Sequence, residues 1–145
     1  MNAAGQGYLR WYLAAAALLT LTLAVFNWAV DPLQIYRRAA YEPVFSENQR
    51  YQNPGLALHY DYEIAILGTS HAENFSPRQV ERVLGAPAVK LAISGATARE
   101  QYLILDLAIG TGKLRRVLWG LDRLSFRKPA GAVSSREGDF PMHLY

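Results

Sequence analysis

The chain has 145 residues, about half of them apolar, and its fifteen basic residues exceed its twelve acidic ones by only three. This length allows one domain and a membrane anchor. The scattered charges exclude the clustered Lys/Arg stripe that binds nucleic acid, and the lack of cysteine excludes disulfides and cysteine-based metal sites.

The first element is an apolar stretch from Trp11 to Val30, twenty residues without a charge in which only two threonines and one asparagine are polar. At about 1.5 Å per residue, a helix of this length crosses the roughly 30 Å hydrocarbon core of a bilayer. A buried core helix rarely runs so far without a charge. A cleaved signal peptide needs small residues before the cut, whereas residues 26–30 are mostly bulky. We therefore predict a transmembrane signal anchor over residues 11–30, preceded by a cytoplasmic segment, residues 1–10.

A polar and aromatic connector follows the anchor over residues 31–55. It shows little periodicity, and its last three residues, Asn53-Pro54-Gly55, are typical of a turn. We interpret it as a juxtamembrane linker, followed by a short helical piece over residues 56–60. Basic residues flank the anchor in similar numbers on both sides, so the positive-inside rule leaves its orientation open.

The centre of the fold is predicted at residues 64–67, a continuous apolar run that ends at Gly68. Such a run is typical of a strand covered on both faces in a parallel sheet, and glycine permits the sharp backbone turn that follows. Ser70 would then lie at the carboxyl end of the strand, where open α/β sheets bind their ligands. Ser70 is therefore a candidate nucleophile, although Thr69 and Ser70 are equally typical of turn residues that bond their own backbone.

A helix and a second strand are predicted next. Ser76 and Gln79 fit a capping box with proline at the first helical position, which predicts a helix over residues 77–84 that is stopped by Gly85. The apolar run over residues 88–93 predicts the second strand.

A second helix and a third strand follow in the same order. Thr97 and Glu100 fit another capping box, which predicts a helix running to Gly110. Residues 115–121 predict the third strand, which the block Gly120-Leu121-Asp122 closes. Beyond it, residues 126–145 contain several glycines, prolines and serines and predict a loop-like segment without a fourth strand.

The alternation of strands and helices over residues 56–125 predicts an α/β domain with a parallel, doubly wound, flavodoxin-like sheet of three strands. In such a sheet the carboxyl ends of the strands share one edge. We therefore expect Ser70, Gly95 and Asp122 to lie next to one another at that edge.

Three blocks in this order resemble the SGNH (GDSL-like) hydrolase superfamily, in particular its membrane-anchored bacterial branch that includes alginate O-acetylation proteins. Residues 66–70 are similar to the family's Gly-Asp-Ser nucleophile block, with threonine in place of the acidic residue. Residues 92–95 look like the block whose glycine N–H helps to form the oxyanion hole. Residues 120–122 look like the Gly-x-Asn block, with Asp122 where asparagine is expected. Residues 30–32, Val-Asp-Pro, also resemble that branch.

The resemblance implies acyl transfer through a serine ester, with Ser70 as nucleophile and the Gly95 N–H as an oxyanion donor. Asp122 departs from this pattern, because an ionised carboxylate only accepts hydrogen bonds. It would have to be protonated or serve a structural role. We expect no cofactor and no metal.

The family's base comes from an Asp-x-x-His segment after the last strand, and no such segment occurs in this chain. His59 precedes the first strand, His71 is adjacent to Ser70 and is not expected to turn back on it, and His143 lies one residue too far from Asp139. We interpret all three histidines as surface or packing residues, with His143 as the remaining candidate base. We therefore expect the chain to be the amino-terminal part of a longer protein and to lack appreciable esterase activity alone.

Two functions of different classes remain open. One is a single-pass esterase or O-acyltransferase in the bacterial inner membrane, with its domain facing the periplasm and acting on an acylated or acyl-accepting polysaccharide. The alternative is a non-catalytic, membrane-anchored SGNH-like domain that binds a carbohydrate or a protein partner within an envelope complex. No nucleic-acid partner is expected for either.

Overall fold

A computed structural model describes residues 3–41, 43, 45, 48–127, 129, 131–133 and 140–145. The chain forms two units, Met1–Pro32 and Leu33–Tyr145. The helices and strands of the described residues are α1 (Ala3–Val30), α2 (Gln49–His59), β1 (Ile64–Gly68), α3 (Pro77–Leu84), β2 (Ala88–Lys90), α4 (Ala98–Gly110) and β3 (Arg116–Gly120).

The first unit is the helix α1, which includes the predicted anchor but begins at Ala3. Its stretch Gly7–Val30 has a mean hydropathy of 2.0 and none of that stretch is buried in protein. The hydroxyls of Thr20 and Thr22 donate to backbone carbonyls four residues earlier in the same helix. The threonine hydroxyls therefore have partners inside the helix, as an apolar surrounding requires. The helix is long and apolar enough to span a membrane.

Helix α2 corrects the predicted linker, because residues 49–55 are helical and Pro54 lies inside the helix. A proline in a helix leaves the carbonyl four residues earlier without its usual N–H partner. That carbonyl belongs to Arg50, and it accepts a 3.1 Å hydrogen bond from the hydroxyl of Tyr145 instead. Gly55 touches the backbone of Gln34 so closely that a Cβ atom would lie 2.1 Å from its carbonyl oxygen. The Tyr145 hydroxyl thus replaces the hydrogen bond that Pro54 cannot make, and Gly55 allows the close approach of the Gln34 backbone. These two contacts explain why Pro54-Gly55 lies within a helix and does not form a turn.

The second unit is built on a three-stranded parallel sheet with the order β2-β1-β3. The central strand pairs Ile64 with Ala88 on one side and with Arg116 on the other. The predicted second strand is shorter than expected, although the extended chain after it still bonds β1 through Leu91 N to Ile66 O at 2.9 Å. All three strands were predicted, and all run in the same direction.

The two faces of β1 contribute to two separate cores. Ala65 and Leu67 pack in the larger core, whose other members include Leu56 of α2 and Ile104 of α4. On the opposite face, Ile64, Ile66 and Leu118 pack with Val80 of α3. Every residue of β1 is buried, and each large aliphatic side chain so placed contributes about 1.5–3 kcal/mol. The continuous apolar run therefore reflects a strand covered on both sides.

The helix ends confirm one predicted capping box and contradict the other. Thr97 and Glu100 make both reciprocal bonds of the box at the start of α4. Ser76 makes no side-chain cap bond before α3, because its backbone carbonyl already accepts the N–H of Gln79 at 3.0 Å. Gly85 ends α3 with a left-handed φ of 67°, as predicted.

Among its described residues, the segment after β3 contains two short 3₁₀ turns, Arg123–Phe126 and Met142–Leu144. No fourth strand occurs among the described residues. Phe140 is buried, and its ring packs 4.9 Å from the ring of Tyr145. The loop-like segment therefore packs partly against the domain.

Candidate functional site

The end of β1 places Ser70 on an exposed turn. Gly68 has a φ of 139°, which favours glycine, and a Cβ there would lie 2.7 Å from the carbonyl oxygen of Gly120. The chain then folds back through a 2.9 Å hydrogen bond from the N–H of Ala72 to the carbonyl of Thr69. Thr69 is buried, whereas Ser70 is exposed. The turn therefore presents the serine to solvent at the carboxyl edge of the central strand.

Asp122 follows β3 and contacts the same turn. Its Oδ2 accepts a 2.7 Å hydrogen bond from the hydroxyl of Thr69, and its Oδ1 accepts a 2.6 Å bond from the N–H of Leu124. These two bonds, the one from Leu124 foremost, hold the pKa of the Asp122 carboxyl below its usual value. The group is ionised near neutral pH and cannot donate to an oxyanion. Of the two roles expected for Asp122, the structural one agrees with these contacts.

His71 also reaches Asp122, which the sequence reasoning missed. Its Nδ1 lies 3.4 Å from Oδ2, with 79% of the imidazole exposed but only 15% of the carboxylate. No described residue lies within hydrogen-bond distance of the Ser70 hydroxyl. The signal in the sequence was the polar triplet Thr69 to His71 at the end of one strand, together with Asp122 just after the end of the neighbouring strand β3. Asp122 thus contacts both residues that flank Ser70 and hydrogen-bonds one of them, Thr69.

Gly95 lies on the exposed turn after β2, with a left-handed φ of 60°. The N–H of Ile93 donates a 3.0 Å hydrogen bond to the carbonyl of Gly68, so the chain enters this turn beside the end of β1. Because the strands are parallel, Ser70, Gly95 and Asp122 all follow the same edge of the sheet. The geometry brings Thr69 and Asp122 into direct contact.

Side chains of α2 hold the turn that carries Gly95. Gln49 Oε1 accepts a 2.6 Å bond from the N–H of Ser94, and Arg50 Nη2 donates to the carbonyl of Ser94 at 3.2 Å. One turn further along α2, Asn53 Nδ2 donates to the carbonyl of Ala92 at 3.0 Å. These residues carry no signal of this role in the sequence, because Pro54 and Gly55 give their segment the pattern of a linker.

A buried ion pair supports the same region. Arg50 Nε donates to Glu100 Oε1 at 3.1 Å, and 6% of the arginine side chain and none of the glutamate is exposed. Glu100 Oε2 accepts the N–H of Thr97 at 2.8 Å as part of the capping box. Burial raises the pKa of Tyr145, whose hydroxyl bonds Arg50. The start of α4 is therefore joined to α2 through charge-assisted hydrogen bonds.

A pocket of about 340 Å³ lies where β1 and β3 end. It is lined by His71, Ala72, Phe75, Gly120, Leu121 and Asp122. A cavity of about 380 Å³ lies beside β2 and includes Lys90 but none of the predicted site residues. Burial lowers the pKa of Lys90, which lies 3.9 Å above the ring of Phe45. The pocket at the sheet edge is the one that adjoins the candidate chemistry.

Neither of the other histidines hydrogen-bonds Ser70 within the described residues. His59 contacts the backbone carbonyl of Ile35 through Nε2 at 3.0 Å, which agrees with a packing role. His143 is exposed, and its sequence partner Asp139 lies outside the described residues. No group of three or more His, Asp or Glu side chains able to hold a metal ion occurs in the part of the chain that the structure describes.

Comparisons with known proteins do not identify the site, so we interpret it from its geometry. No protein-family model matches the chain, and neither the curated proteins nor the solved structures gave a match.

Proposed function

We propose that residues 33–145 form an SGNH-like domain of the serine esterase or O-acyltransferase class, held at a membrane by α1 and facing the periplasm. One observation carries the proposal. Ser70 is exposed at the carboxyl end of the central strand, on a turn that Asp122 anchors from the neighbouring strand through Thr69. Asp122 thus brings a carboxylate to the turn that carries Ser70, and this contact supports the proposal.

The topology supports this class of fold. The order β2-β1-β3 is the first part of the flavodoxin-like order 2-1-3-4-5, and helices pack on both faces of the sheet. In that order the strand sequence reverses between the first and third strands, and ligands bind at this switch point. The pocket beside His71 and Asp122 lies at the ends of those two strands.

The proposed chemistry is acyl transfer through Ser70. The Ser70 oxygen attacks an ester carbonyl, and backbone N–H groups such as that of Gly95 stabilise the oxyanion, each worth about 2.7–4 kcal/mol. Asp122 holds the turn and is not one of these donors, because its carboxylate is already engaged as an acceptor. The polysaccharide as substrate rests on the resemblance of the three sequence blocks.

The test is covalent labelling of the full chain in lipid nanodiscs with p-nitrophenyl acetate, followed by peptide mass spectrometry. We expect an acetyl group on Ser70 that is absent in Ser70→Ala. Ser76→Ala is the matched control, because the Ser76 side chain makes no cap bond. Turnover should stay low, since no described residue hydrogen-bonds the Ser70 hydroxyl as a base. An unlabelled Ser70 would overturn the nucleophile assignment.

The second candidate is a non-catalytic domain that binds carbohydrate or a protein in an envelope complex. It is favoured by the fact that no described residue hydrogen-bonds the Ser70 hydroxyl as a base. Under this alternative, p-nitrophenyl acetate modifies no serine selectively, and Ser70→Ala behaves like the Ser76→Ala control.

A further inference from the structure

We propose that His71 and Asp122 form an acid–base pair that acts on an acceptor hydroxyl bound in the pocket at the ends of β1 and β3. The role in transfer deepens the proposed function and rests on it. The orientation of the imidazole by Asp122 rests on the contacts alone and is tested separately.

The first support is the arrangement of the pair. His71 and Asp122 line the same pocket of about 340 Å³. The carboxylate is fixed from two other directions, by the hydroxyl of Thr69 and by the N–H of Leu124. A base oriented by a carboxylate that is itself held in place is the arrangement found in activated serine sites. Here the carboxylate comes from the end of β3 and the imidazole from the turn after β1.

The second support is the tautomer that the contact favours. The ionised carboxylate of Asp122 accepts hydrogen bonds and lies 3.4 Å from Nδ1 of His71, so the proton of the neutral imidazole belongs on Nδ1. Nε2 then carries a lone pair and is able to take a proton. His59 has the opposite tautomer. Its Nε2 contacts a backbone carbonyl, and because a carbonyl oxygen only accepts hydrogen bonds, that nitrogen must carry the proton.

The third support comes from the exposure of the His71 imidazole and from the residues that line the pocket around it. His71 is 79% exposed, so an incoming hydroxyl has access to it. The remaining walls include Phe75 and Leu121, whose apolar side chains suit the carbon face of a sugar ring or an acyl chain. The pocket thus offers one base and an apolar wall to an alcohol.

The step follows from these positions. The acceptor oxygen attacks the carbonyl carbon of the acyl group on Ser70, while Nε2 of His71 takes the acceptor proton. The tetrahedral intermediate collapses by breaking the bond between that carbon and the Ser70 oxygen; the serine oxygen takes a proton from solvent, and Nε2 of His71 releases its proton to solvent. Asp122 acts through His71 as a positioning residue. The products are the acylated acceptor and free Ser70, so atoms and charge balance.

The first experiment measures the tautomer by ¹⁵N NMR of the full chain in micelles with selectively labelled histidine. We assign the three imidazoles with His59→Gln, His71→Gln and His143→Gln. At a pH where the rings are neutral, His71 should show a protonated Nδ1, His59 a protonated Nε2, and Asp122→Asn should reduce the Nδ1–H population of His71. A predominantly Nε2-protonated His71 in the unmodified chain would overturn the pair, whether or not the chain has any acyl-transfer activity.

The second experiment follows the loss of acetyl from labelled Ser70 after glycerol is added as the acceptor alcohol. Loss of a general base costs about 10²- to 10⁴-fold, so His71→Gln should slow deacylation by that order while His59→Gln, at the histidine that contacts the Ile35 carbonyl, leaves it unchanged. Equal deacylation rates in His71→Gln and the unmodified chain would refute the role in transfer. If Ser70 never becomes acetylated, the proposed function fails, while the tautomer measurement still decides whether Asp122 orients His71.

Discussion

The hydroxyl of Thr69 donates a 2.7 Å hydrogen bond to Oδ2 of Asp122, and this bond joins the ends of β1 and β3. Thr69 stands where the resembling family has an acidic residue. In this chain the threonine hydroxyl contacts a carboxylate that follows the third strand. The exposed Ser70 is the next residue after Thr69, so the bond also fixes where the turn leaves the sheet.

Replacing Thr69 by valine should lower the free energy of unfolding by about 1.5–3 kcal/mol, the usual worth of a hydrogen bond to a charged group. Valine keeps the branched shape but leaves the carboxylate without this donor. Thr69→Ser keeps the hydroxyl and is the control, with a smaller loss from one missing methyl group. Urea unfolding of both variants measures the difference. Equal stabilities of the valine and serine variants would show that the bond contributes nothing.

The lowered pKa of Asp122 predicts how stability depends on pH. The folded pKa lies below the ordinary aspartate value of 3.8, so the unfolded chain binds the proton more readily than the folded chain. The stabilisation from Asp122 is therefore fully present above that ordinary value and is lost as the pH falls through the folded pKa. We expect the stability advantage of the unmodified chain over Asp122→Asn to be constant above about pH 5 and to shrink at lower pH. An advantage that persists unchanged to pH 2 would contradict this.

Gly68 should tolerate a side chain far less well than Gly85. An alanine Cβ at position 68 would lie 2.7 Å from the carbonyl oxygen of Gly120 and 2.8 Å from Cβ of Ala72. Gly85 is also left-handed but has nothing within 4 Å of that position. We expect Gly85→Ala to cost about 1–2 kcal/mol from its backbone conformation, and Gly68→Ala to cost about 1–3 kcal/mol more from overpacking. Thermal unfolding followed by circular dichroism compares the two, and a reversed order would disprove the close approach of the strand ends.

The ion pair between Arg50 and Glu100 should matter much more than the one between Arg38 and Asp61. The first pair is 6% and 0% exposed, and removing one partner of a buried pair costs about 3–5 kcal/mol. The second pair, 3.5 Å apart, is 58% and 88% exposed, and such pairs contribute about 0–1 kcal/mol. Arg50→Met and Asp61→Asn, compared by denaturant unfolding, measure the contrast. A loss below about 1 kcal/mol for Arg50→Met would mean that the buried charge finds another partner.

The strands and the second capping box were predictable because their signals are local. Residues 64–67 are apolar without interruption since both faces of β1 are covered, and Thr97 and Glu100 bond each other across a single turn. Helix α2 was not predictable in the same way. Pro54 ordinarily ends a helix, and its missing bond is replaced by the hydroxyl of Tyr145, whose partner Arg50 is 95 residues away in the chain.

The candidate site likewise has one part that the sequence predicts and one part that it does not. The positions of Ser70 and Asp122 at one sheet edge follow from parallel strands of predictable length. The contact of His71 with Asp122 depends on the direction in which the turn after Gly68 leaves the sheet, which is set by the close packing of that glycine against Gly120. Adjacency to Ser70 in the sequence therefore gave no indication of this partner.

The last prediction concerns the side of the membrane on which the domain lies. Flanking charge leaves the orientation open, and the resemblance favours a periplasmic domain. Because the chain has no cysteine, each engineered cysteine is the only thiol. Val83 is 80% exposed on α3, so Val83→Cys should react with a membrane-impermeant maleimide once the outer membrane is permeabilised. Asn2→Cys, on the other side of α1 in the sequence, should react only after the inner membrane is lysed. The reverse pattern would place the domain in the cytoplasm and remove the periplasmic polysaccharide as its substrate.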